Sequence, residues 1–198
     1  MPIRRLFQKK DQVALFWQWF EESQQAYHDL SEEQLENSFE QLETKLHKVN
    51  KELVFEFSAE LVSGKREFII SADGLEEVFP SVIELVDRAP KLQNFDIIAF
   101  RQPSQEECEV SIDGITLTSE QVYFDYLFNP ETELVDLKFF IKDFDPDNMV
   151  YDQAVFIMMD SVLGEYDAAT KVNSIELQKL SEKEGLFPIM ELRKKIVG

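Results

Sequence analysis

The spacing of apolar residues first changes near residue 50 of this chain, and that change constrains the fold more than any other feature. Between residues 11 and 49 they recur every three to four positions, as on a helix; from Leu53 they alternate in twos, as on a strand. Asp11 to Tyr27 places Val13, Phe16, Trp17, Phe20, Gln24 and Tyr27 on one side of a predicted helix, with Leu15 and Trp19 on the opposite side. A second helix is predicted from Ser31, where Ser31 and Gln34 form a capping box and Leu30 staples onto Leu35. Its stripe of Leu35, Phe39, Leu42, Leu46 and Val49 is the pattern of a helix packed along another helix. Residues 1–50 are therefore expected to be an N-terminal helical hairpin, and 51–198 an α+β sheet domain, together one structural unit.

In the second part, Leu53, Phe55 and Phe57 alternate with Val54, Glu56 and Ser58, and Ser63-Gly64 turns the chain into Arg66–Ser71. A helix over 82–88 follows Asp73-Gly74 and Pro80, and Ala89-Pro90 stops it. Phe95 to Arg101 is apolar on both faces, which predicts a strand well inside a sheet. After a turn at Asp113-Gly114 the same order returns: strands over 122–128 and 133–141, a helix capped by Asp145 with Pro146 in its first turn and ending at Gly164, and a closing strand over 171–179. The expected fold class is α+β, a mixed and largely antiparallel sheet built from two ββαβ-like units with helices packed on it.

The chain has 198 residues, long enough to bury a core without disulfides, and its 17 phenylalanines predict a Phe-rich one. A single cysteine, no export signal and no apolar run long enough to span a bilayer predict a cytoplasmic protein without a membrane segment. With 39 acidic against 20 basic residues the formal charge is −19, which argues against direct nucleic-acid binding, because that affinity comes from Lys and Arg replacing counterions. A charged partner is expected to be basic. The acidity is uneven: 21–43, 102–136 and 143–170 hold no Lys or Arg.

Motif by motif, familiar chemistry drops out. The six glycines are never closer than ten positions, so no phosphate-cradling loop or dinucleotide fingerprint exists, and no cofactor is expected. Cys108 stands among Glu106, Glu107 and Glu109, whose charges disfavour a thiolate. His28 and His47 fall on the first two helices, away from any candidate serine nucleophile. Asp143, Asp145 and Asp147 match the first three ligand positions of a calcium loop, but Asn148 replaces its glycine and Ala154 its bidentate Glu. The favoured reading is a strand end and a helix start, with no metal site. Gly164-Glu165-Tyr166-Asp167 reads as a helix stop, with Tyr166 packed back on the sheet. No catalytic residue is assigned, and a non-catalytic protein is expected; the alternatives are a carboxylate-dependent hydrolase, which needs only two suitably spaced carboxyls, and a DNA mimic.

Five segments, Phe16-Trp17-Gln18-Trp19-Phe20, Glu67 to Gly74, Ala89-Pro90-Lys91-Leu92, Ile97-Ile98-Ala99-Phe100-Arg101 and Leu163-Gly164-Glu165-Tyr166-Asp167, together resemble a family of uncharacterised bacterial proteins with no assigned activity. The resemblance covers most of the chain. It implies a bacterial origin and a stand-alone domain, and carries over no site and no reaction.

One helix face remains as a functional signal. Glu33, Glu36, Glu40, Glu43 and His47 project to one side of the second helix, where like charges three and four apart repel. A face serving solubility alone would interleave lysines. These residues are expected to dock a basic partner protein, with Leu15 and Trp19 on the neighbouring helix as an apolar anchor, as in an immunity protein that neutralises a toxin.

Overall fold

The computed structural model describes residues 10–30 and 35–198 and forms two compact units, one running to Ala99 and one from Phe100. Each has its own sheets. The capping box and staple expected around Ser31 to Gln34 lie outside the described residues.

The first unit opens with α1 (Gln12–Asp29) and α2 (Leu35–Leu46). Asp11 caps α1 by accepting a hydrogen bond from the Ala14 amide at 3.1 Å. Arg88 donates to the same carboxylate, and that bond, with the cap, holds the Asp11 carboxyl below its ordinary value. The predicted stripe of α1 is buried through Val13, Phe16, Trp17, Phe20 and Tyr27, and the phenol of Tyr27 donates to the Ser38 carbonyl of α2 at 2.9 Å. On α2 the stripe is deepest at Leu42 and Leu46, while Leu35 and Phe39 are half-buried.

Strands β1 (Val54–Phe57), β2 (Arg66–Ser71) and β3 (Phe95–Ala99) follow, with α3 (Phe79–Asp87) between the last two. β1 pairs antiparallel and β3 parallel with the central β2. Phe20, Phe57 and Phe68 stack at the centre, with ring centroids 4.9 and 4.8 Å from Phe68. Arg66 is buried and answers its charge with backbone carbonyls, donating to His28 at 2.8 Å, to Ala59 at 3.1 Å and to Ser58.

β3 corrects one expectation: among the described residues it is an edge of this sheet, not an internal strand. Apolar residues on both faces report cover above and below the strand, and Ile97, Ile98 and Ala99 are each half-buried. They carry no information about neighbours in the hydrogen-bonding direction.

The second unit holds the hairpin β4 (Glu109–Ile112) and β5 (Ile115–Thr118), then β6 (Val122–Asn129), β7 (Leu134–Ile141), α4 (Val150–Leu163), α5 (Glu165–Lys171), β8 (Val172–Lys179), the short β9 (Phe187–Pro188) and α6 (Leu192–Ile196). Its four-stranded sheet has the order β8-β7-β6-β9, with β7 and β8 parallel and the other pairs antiparallel. Thus β1-β2-α3-β3 and β6-β7-α4-α5-β8 share one plan: an antiparallel pair, a helical crossover, which in the second case is α4 followed by the short α5, and a third strand parallel to the second. The expected ββαβ order holds in both, with a separate sheet for each rather than one continuous sheet.

The core of this unit joins Phe124, Leu137, Phe139 and Ile141 of the sheet to Val155, Met158, Met159 and Leu163 of α4. The N-terminus of α4 also departs from expectation. Asp145 does not cap it: its carboxylate accepts from the Asp147 amide at 3.1 Å in a local turn, and the helix starts only at Val150. Gly164 does not simply end a helix either, because α5 begins at the next residue.

Candidate functional site

α2 carries the acidic face because Leu42 and Leu46 turn inward, which leaves Glu36, Glu40 and Glu43 in solvent on one flank with His47 in the turn that follows. His47 Nε2 lies 4.0 Å from the Glu43 carboxylate. Among the described residues neither Glu36 nor Glu40 has an ion-pair partner. The face is three exposed carboxylates at helical spacing, held on a helix anchored by two fully buried leucines. Glu33 lies outside the described residues.

Leu15 and Trp19 do not join this face. Leu15 is 46% exposed and lines a cleft of about 330 Å³ with Lys10, Gln12, Phe16, Lys45 and Lys48. Trp19 is half-buried against Phe16, Phe20 and Tyr27, and Lys45 Nζ stands 5.2 Å from its ring centroid. At about 100° per residue, Lys45 projects to the other flank of α2 from Glu36, Glu40 and Glu43, and Lys48, in the turn after the helix, lines the same cleft. The structure brings the two apolar side chains to Lys45 and Lys48 instead of the glutamates of α2. Trp19, placed by its spacing on the outer side of α1, is drawn inward because α2 packs against α1 there.

Two segments singled out in the sequence meet in the second unit. The Arg101 amide donates to Glu165 Oε2 at 3.2 Å, the Glu165 amide returns a bond to the Arg101 carbonyl at 3.0 Å, and Arg101 Nε reaches Asp160 at 3.1 Å. Arg193 donates to Asp167 at 2.6 Å and to the Leu163 carbonyl. Glu165 is fully buried, and a buried carboxyl needs hydrogen-bond partners such as the Arg101 amide. The constellation works as a clasp. Tyr166 packs on Phe100 with ring centroids 5.3 Å apart and is about half exposed, not folded back on the sheet.

Cys108 is half-buried in a cleft with Glu107, Glu109, Thr118, Ser119 and Glu120. Burial pushes its thiol pKa up, so desolvation rather than the neighbouring carboxylates disfavours the thiolate. Among the described residues no group of three or more His, Cys, Asp or Glu side chains is placed to hold a metal ion, Asp143, Asp145 and Asp147 included. No described helix is long and apolar enough to cross a membrane.

Sequence spacing did not reveal the roles of Arg66, Arg101, Arg193 and Glu165, whose partners lie on distant segments. Only the unusual position of Glu165, an acid directly after a helix-interrupting glycine, marked one of them. No family model, curated protein or solved structure matches the chain.

Proposed function

We propose that this chain is a non-catalytic acidic module of the cytoplasm that binds a basic partner protein through the glutamate face of α2, as an immunity protein covers a toxin. The observation that supports this reading is the exposure of Glu36, Glu40 and Glu43 on one flank, with Lys45 of the same helix turned to the other. Lysines interleaved among the glutamates would have relieved their repulsion, so their segregation costs stability, by a few tenths of a kcal/mol per like pair. A complementary cationic surface reverses that cost on binding and speeds encounter.

The test replaces Glu36, Glu40 and Glu43 with Gln and compares melting temperature and affinity capture from a lysate of the source cells. The expected result is a melting temperature equal to or above that of the parent, with loss of a basic protein that the parent retains. Retention of every partner by the variant would mark the face as solvated and nothing more.

A further inference from the structure

We propose that the solvent side of α4 is a second docking surface, built to take an amphipathic segment of a partner protein that carries Lys or Arg beside apolar residues. A helix that lays one side on a core normally presents a polar side to water. α4 buries Tyr151, Ala154, Val155, Met158, Met159, Val162 and Leu163, yet its outer row, including the capping position Met149, reads Met149, Asp152, Gln153, Phe156, Ile157 and Asp160. Met149 is 77%, Phe156 57% and Ile157 48% exposed. Positions 149, 152, 153, 156 and 157 recur at the three- and four-residue intervals of one helix face, so the three apolar side chains form a stripe rather than scattered exceptions.

The charge around the stripe selects its occupant. Asp152 is exposed within it, Asp145 and Asp147 are exposed just before the helix, and the chain from Asp143 to Thr170 supplies no Lys or Arg, while Arg101 answers Asp160 at the far end of the row. A second copy would bring the same carboxylates against themselves at a formal charge of −19 per chain. A segment with cations flanking an apolar ridge pairs with both parts of the surface, in the way a helix lies in a groove. This inference rests on the acidic-module reading for the sign of the partner's charge alone; its site lies on a different helix from the glutamate face.

The experiment uses the full chain and a synthetic amphipathic helix of leucine and lysine, with a matched peptide carrying glutamine at every lysine position. Fluorescence anisotropy gives the affinities, and amide hydrogen exchange locates the contact. For the parent, the lysine peptide is expected to bind more tightly than the glutamine peptide and to protect amides across 149–160. The F156S/I157S pair, which leaves the charge unchanged, is expected to weaken binding about tenfold at an unchanged melting temperature, because both side chains are exposed. Met149→Ser gives a second, milder readout of the same stripe. Affinity within about twofold of the parent in both variants, or protection elsewhere, overturns the proposal. So does self-association in sedimentation that F156S/I157S abolishes, since the stripe would then be an interface between copies. E36Q/E40Q/E43Q, tested with the same peptide, is expected to keep protection over 149–160; failure of the α2 reading appears in partner capture, and failure of this one in the peptide assay.

Discussion

Gly164 occupies a position that no other residue fits. Its φ of +79° with ψ of 150° belongs to a region that L side chains rarely adopt, and a Cβ added there would stand 2.9 Å from Pro103 Cδ and 3.1 Å from the Arg101 carbonyl oxygen. Backbone strain and steric overlap act together, so Gly164→Ala is expected to destabilise the protein by about 2 kcal/mol or more, read as a lower urea midpoint at an unchanged slope. The sequence marks this residue as special through its place after an apolar helix. It does not say that the glycine is needed for the approach of Arg101 to Pro103, because that segment is some sixty positions away. Arg66 shows the same limit. Its neighbours read as an ordinary half-buried strand, and burial of the guanidinium follows from carbonyls of His28, Ser58 and Ala59 that only the fold assembles.

Elements defined by local periodicity were legible almost to their ends: α1, β1, β2, β6, β7 and β8 lie within a few residues of their expected spans. What periodicity could not supply was the environment of each face. Trp19 was expected outside and is half-buried because α2 covers it, and the hairpin β4–β5, whose Asp113-Gly114 turn was recognised, was not recognised as two strands although Val110, Ile112, Ile115 and Leu117 alternate around it. The contact between α1 and α2 also has a titration signature. Burial pushes the Tyr27 phenol up from 10.0 to about 12. The unfolded chain therefore loses this proton first as the pH rises, so the stability attached to Tyr27 is complete below about pH 10 and falls away up to about pH 12. Tyr27→Phe removes that dependence together with the bond to the Ser38 carbonyl. The melting-temperature gap between parent and variant is expected to narrow from pH 10 to pH 12, and a constant gap would show that Tyr27 titrates no differently in the two states.

Across the whole molecule, the α+β class and the repeated ββαβ order followed from the succession of periods, whereas the placing of each repeat in its own sheet did not, since strand order is silent about which edges meet. The acidic balance was equally plain in composition, but its distribution into surfaces was not. Glu36, Glu40 and Glu43 keep the common face that their spacing gave them, while Leu15 and Trp19 stand with Lys45 and Lys48. An acidic surface that binds a basic partner must lose affinity as salt screens it, and must lose that salt sensitivity when its carboxylates become amides. The most direct measurement is therefore calorimetric titration of the captured partner into the parent chain and into E36Q/E40Q/E43Q at low and near-physiological salt. The proposed function predicts that the parent's affinity falls about tenfold or more across that range, while the variant binds weakly and changes little; equal affinities for the two proteins at both salt concentrations would contradict it.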